Sequence, residues 1–147
     1  MAQEPATCQI TALDHLVLTV SDIPATVTFY TRILGMRHTR FAGADGTNRS
    51  ALFFGTQKIN LHQSGAEFDP KARAPLPGSA DLCFLTHASL SNWQTHLSAH
   101  NIPVEDGPVP RTGATGPVMS LYIRDPDGNL IEISNPRDTQ SAPPLTV

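Results

Sequence analysis

The sequence predicts an α+β domain made of two βαβββ modules, whose strands form a curved concave sheet with the helices outside. Three observations predict it. Two segments of the 147-residue chain repeat one layout: strand, helix, three strands. Period-two alternation places a polar side chain on the same face of four separate strands. Asp125-Pro126-Asp127-Gly128 is a tight-turn signature that runs into a strand with one carboxylate, Glu132, among apolar neighbours.

The first module opens at 13–20, where His15, Val17 and Thr19 alternate with Leu16, Leu18 and Val20. Ser21-Asp22-Ile23-Pro24 starts a helix, with a capping residue and a proline near the first helical position. Val27, Tyr30, Ile33 and Leu34 follow at core-facing spacing, and Gly35 ends the helix. Extended segments fit 36–41, 50–54 and 58–63. The stretch 64–79 carries Pro70, Pro75 and Pro77 and reads as a linker.

The second module repeats the order. A strand at 80–86 precedes Ser89, which caps a helix with Leu90, Trp93 and Leu97 on one face, ended by Asn101 and Pro103. Strands then fit 104–105, 118–124 and 129–134. Residues 106–117 hold three prolines and three glycines and read as an irregular loop, a binding loop or lid carrying Arg111. The domain is expected over 10–136: module one about 10–63, the linker 64–79, module two about 80–136. Residues 1–9 read as a tail, and 137–147 as a disordered one.

Hydrophobic content of 39% and charged content of 16% fit a soluble globular protein of one domain. The net charge is −3, with no basic block, which argues against nucleic acid as a partner. No apolar run is long enough to span a bilayer, and the N-terminus has no signal-peptide pattern. Cys8 and Cys83 read as free thiols in a reducing compartment, so the expected location is cytoplasmic.

Strand parity selects the candidate site. Packing Leu16 and Leu18 under a helix turns His15 to the other face. The same rule turns Asn60 and His62, Asp81 and Cys83, and Glu132 to that face. In the repeat, His15 corresponds to Asp81, and Asn60/His62 to Glu132/Ser134. Imidazole with carboxylate oxygen suits divalent Zn, Ni, Mn, Co or Fe. Taken singly, each residue has an ordinary explanation: a hydrogen-bonded strand histidine, or an aspartate capping a turn after Gly78-Ser79. Their coincidence on one face carries the metal reading. Tyr122 and Arg124 share a parity with Ser120 and are candidate substrate contacts, with Asn60. Arg111 would hold an anionic group. Asp125 and Asp127 read as turn residues, His38, His87, His96 and His100 as scattered and solvated, and Trp93 as core.

Leu13-Asp14-His15-Leu16-Val17-Leu18-Thr19-Val20-Ser21-Asp22, Phe29-Tyr30, Leu34-Gly35-Met36 and the run from Asp125 to Glu132 resemble the vicinal oxygen chelate superfamily of glyoxalases, bleomycin-resistance proteins and dioxygenases. Within it, Gln57-Lys58-Ile59-Asn60-Leu61-His62-Gln63, Pro77-Gly78-Ser79-Ala80-Asp81-Leu82-Cys83 and the run from Gly107 to Ala114 resemble the glyoxalase-domain-containing protein 5 group and its virulence-associated bacterial relatives.

The resemblance implies a metal in the concave cup, held from the first and last strand of each module. Those positions hold His15, Asp81, Glu132 and either Asn60 or His62. Asp81 stands where His is usual in the family, and Asn60 where Glu aligns. Asp81 is then a ligand or a base beside the metal, and Glu132 a ligand with a catalytic role. The implied function is that of a metal-dependent, glyoxalase I-like lyase or isomerase. It would act on a small oxygenated substrate, through two substrate oxygens on a divalent metal, as a homodimer. Two alternatives remain: a non-catalytic drug-binding protein, and an Fe(II) dioxygenase using His15, His62 and Glu132 as its triad.

Overall fold

The computed structural model describes residues 7–137. The expected disordered tail therefore lies outside the described residues, apart from Arg137, whose N–H donates to the Pro117 carbonyl at 2.9 Å. The elements run β1 (His15–Val20), α1 (Ile23–Arg32), β2 (Arg37–Ala42), β3 (Asn48–Phe54), β4 (Gln57–Gln63), β5 (Asp81–Leu85), α2 (Leu90–Ala99), β6 (Asp106–Gly113), β7 (Gly116–Arg124) and β8 (Leu130–Pro136). This is βαβββ twice.

The strands form two four-stranded sheets, ordered β1-β4-β3-β2 and β5-β8-β7-β6. In each, the first strand pairs in parallel with the last, and the remaining pairs are antiparallel. Strands β1 and β5 are therefore outer strands, each with one unpaired edge.

Helix α1 starts within the expected Ser21–Pro24 segment. Asp22 is the N-cap, Pro24 sits in the first turn, and the Thr26 hydroxyl donates to the Asp22 carbonyl. Thr26, Phe29 and Tyr30 are its buried residues, while Val27 packs at the edge of the core. Gly35 takes φ +73°, which a side chain would resist. In α2 the Ser89 side chain accepts from the Asn92 N–H as a cap should. Leu90 and Leu97 are buried, and Trp93 packs beside them.

One apolar core joins the helix-facing sides of both modules. It runs from Leu18, Tyr30, Leu52 and Ile59 to Leu97, Leu121, Ile131 and Ile133. Phe54 meets Phe84 edge-on at 5.2 Å, and the Tyr30 hydroxyl donates to Asp125.

Two linked expectations are overturned. Residues 104–105 lie before the strand and not in it, while residues 106–113 form strand β6, and only a tight turn separates it from β7. The prolines suit this strand because β6 is the outermost of its sheet, where a missing N–H costs no ladder bond. The register also shifts between Asp106 and Val109, next to Gly107 at φ +105°. Arg111 thus lies on a strand and not on a lid.

Candidate functional site

On β1 and β4 the register pairs His15 with Lys58, Val17 with Asn60 and Thr19 with His62. Paired residues share a face, so His15, Asn60 and His62 all stand on the side opposite the core. His15 and Asn60 are diagonal neighbours. His62 is four residues beyond the partner of His15, or ~13 Å along the strand.

The surroundings of the two histidines differ too. The His15 side chain is 42% exposed and its Nδ1 contacts Asp14 at 2.8 Å. His62 is buried, with the Phe68 ring of the linker edge-on at 5.3 Å and the Arg49 guanidinium stacked on Phe68 at 3.9 Å. Burial, with the charges of Arg49 and Lys71, lowers the His62 pKa and keeps its ring neutral at pH 7. A cavity of about 330 Å³ lies over it, lined by Thr19, Lys71, Pro75 and Ser79 among others. Asn60 Oδ1 is inaccessible to solvent and accepts no hydrogen bond.

The second module repeats this register. Asp81 pairs with Leu130, Cys83 with Glu132 and Leu85 with Ser134. Asp81/Glu132 is therefore the counterpart of His15/Asn60, and Ser134 that of His62. The Ser120 hydroxyl donates to Glu132 Oε2 at 2.6 Å. Ser120 and Ser134 are 2.7 Å apart, and the Cys83 thiol lies 3.3 Å from Ser134. Burial pushes the Cys83 thiol pKa up, so the thiol keeps its proton. A cavity of about 430 Å³ beside Glu132 is bounded by Cys83, Thr112, Val118 and Arg137.

Tyr122 pairs with Glu132 across β7 and β8, and burial raises its phenol pKa. Arg111 Nε donates to the Tyr122 hydroxyl at 3.0 Å, and the guanidinium sits over the ring. Arg124 spends its guanidinium on Glu105, at 3.1 and 2.9 Å, and on the Gly128 carbonyl. Arg111 and Tyr122 thus form one unit next to Glu132, while Arg124 is engaged at the rim.

Within one chain the two polar pairs stay on separate sheets. Among the described residues, no three His, Cys, Asp or Glu side chains come together as a metal site. The donor types suit a divalent ion, but each sheet supplies only two of them. A triad of His15, His62 and Glu132 is disfavoured further, because the register holds the two histidines at opposite ends of the strand pair.

The family model described as Glyoxalase/Bleomycin resistance protein/Dioxygenase superfamily matches residues 12–133. The chain belongs to this superfamily. It is 55% identical to glyoxalase domain-containing protein RDO1 of Mycosarcoma maydis over 131 residues, covering 89% of this chain and 72% of that protein. It resembles the crystal structure of virulence protein STM3117 of Salmonella typhimurium with TM-score 0.82 and 55% identity, covering 87% of this chain and 98% of that one. Lactoylglutathione lyase of Agrobacterium tumefaciens matches with TM-score 0.63 and 26% identity, over 86% and 95% of the two chains. The superfamily fold accounts for the paired modules and curved sheets. Its members act on small molecules, commonly with divalent metals, and typically form dimers.

Some functional contacts were not legible in the sequence. Ser120 shares the parity of Tyr122, but its bond to Glu132 depends on the β7–β8 register. Arg49 and Phe68 cap His62 from a hairpin and from the linker. The proline-rich linker was the only signal that this segment covers anything.

Proposed function

We propose that the protein is a glyoxalase-type enzyme for a small oxygenated substrate, working as a homodimer with two composite cups. Each cup would join His15 and Asn60 of one protomer to Asp81 and Glu132 of the other, around a divalent metal.

The observation that carries this reading is the register equivalence of the two polar pairs on separate sheets. Strands β1 and β5 have free edges, and Val17 and Leu85 stand exposed on them at 47% and 64%. Pairing β1 of one copy with β5 of the other, twice about a two-fold axis, would use both edges and cover both side chains. The free Asn60 Oδ1 supports the reading as well, since an unpartnered buried oxygen calls for a cation or a donor.

The bound metal would supply Lewis acidity towards two neighbouring substrate oxygens. The chain's own residues do the rest. Ser120 anchors Oε2 of Glu132, so Oε1 keeps its lone pairs for the cup. Asp81 is exposed at the mouth and serves as the proton-transferring base. Arg111, held on Tyr122, faces an anionic part of the substrate. His62 lines the substrate cavity as a neutral imidazole. The likeness to a lactoylglutathione lyase supports lyase or isomerase chemistry.

Subunit complementation tests the composite cup. His15→Ala and Glu132→Ala proteins should each lose tightly bound metal, measured by elemental analysis. Unfolded and refolded together, they should regain roughly a quarter of the wild-type metal, because half the dimers are mixed and each has one intact cup. No recovery in the mixture would refute shared cups.

A further inference from the structure

Two histidines that the cup does not use sit together at the end of α2. His96 and His100 are four residues apart, on one side of the helix. Their ring centroids are 4.6 Å apart. His96 Nε2 contacts the Ile33 carbonyl at 2.9 Å, and His100 Nδ1 contacts the His96 carbonyl at 2.9 Å. A carbonyl oxygen only accepts, so both of these ring nitrogens carry hydrogen. The tautomers are thereby fixed. In the neutral rings, the nitrogens left with lone pairs are Nδ1 of His96 and Nε2 of His100. A metal-bound imidazole is commonly supported in this way, by its second N–H on a backbone carbonyl.

We infer that His96 and His100 form a two-imidazole site for a borderline divalent transition metal, of the Ni²⁺, Cu²⁺ or Zn²⁺ class. Imidazole nitrogen suits these ions better than Mg²⁺ or Ca²⁺. Water would fill the other positions, because His100 is exposed. A groove of about 290 Å³ beside His96, lined by Leu34, Asn92 and Trp93 among others, gives the ion room. Arg32 also lines this groove, and its charge would keep the affinity modest. The site lies on the helix layer, on α2, and is independent of the proposed cup.

Trp93 is the sole tryptophan of the chain, with its ring centroid 5.5 Å from that of His96. It reports directly on a quenching ion. Ni²⁺ titrated into the full-length protein should quench its fluorescence saturably, at one ion per chain beyond any ion held in the cup. His100→Ala should weaken this binding by about tenfold or more, the scale set by residues that merely orient a ligand. His96→Gln should do the same, with circular dichroism confirming a folded protein. His15→Ala should leave the quenching unchanged. Absence of saturable quenching, or wild-type affinity in either α2 variant, overturns the inference. Quenching lost only in His15→Ala also overturns it, by assigning the ion to the cup, and leaves the proposed function standing.

Discussion

The Tyr30 hydroxyl donates a 2.8 Å hydrogen bond to Asp125, tying the helix of the first module to the β7–β8 turn of the second. Both residues are buried, and Asp125 also accepts from the Asp127 and Asn129 backbone N–H groups and from the Asn129 side chain. Tyr30→Phe removes one donor from this cluster without creating a cavity. It should cost about 1–3 kcal/mol, measured by urea unfolding.

The same contact predicts an alkaline limit. Burial and then the Asp125 charge raise the Tyr30 pKa well above its ordinary value. The folded chain keeps a proton that the unfolded chain releases near pH 10. Stability from this group is therefore complete below pH 10 and falls as pH rises past it. In Tyr30→Phe that decline should be shallower, as followed by thermal melts from pH 8 to 11.

His62 predicts the opposite limit. Burial and two nearby cations lower its pKa, so the unfolded chain takes up a proton that the folded chain refuses. This contribution is complete above about pH 6.5 and is lost as pH falls below it. His62→Phe should flatten the melting temperature between pH 7 and pH 5. An unchanged slope would show that Phe68 and Arg49 do not hold the ring neutral.

Asn60 separates stability from function. Its Oδ1 is buried without a donor, a cost of about 1–3 kcal/mol to the isolated chain. Asn60→Leu should melt no lower than wild type, and as much as about 1 kcal/mol more stable. It should also lose bound metal and turnover. A variant that melts lower and keeps its metal would show that Asn60 serves packing.

Gly78 joins the linker to the site. It has φ +81°, and a Cβ there would lie 2.6 Å from the Asp127 carbonyl oxygen. Gly78→Ala should cost about 1–3 kcal/mol of stability through backbone strain. It should also shift the linker over the His62 cavity, read as altered ligand affinity.

The faces of the strands were legible in the sequence because alternation is local. Leu16 and Leu18 declare their side, and His15 follows. Which residues on a face are neighbours was not legible. His62 shares the face of His15, but only the β1–β4 pairing shows that Asn60 is nearer to it. Arg111 was misplaced because prolines signal breaks, unless the strand is an outer one, and strand order is a long-range property. Asp125 was read correctly as a turn residue. Its tie to Tyr30 spans 95 positions and left no local trace. Scatter along the sequence suggests a solvated His96, but the ring bonds to the Ile33 carbonyl at the end of the other helix.

The prolines of β6 also bear on how far self-association can go. Pro108 and Pro110 lie two apart, so both deny a donor along the same outer rim. Another chain would find too few amide hydrogens there to extend the ladder. The proposed reciprocal pairing would consume β1 and β5 at once, which leaves β2 as the one outer strand of the two sheets still open to extension.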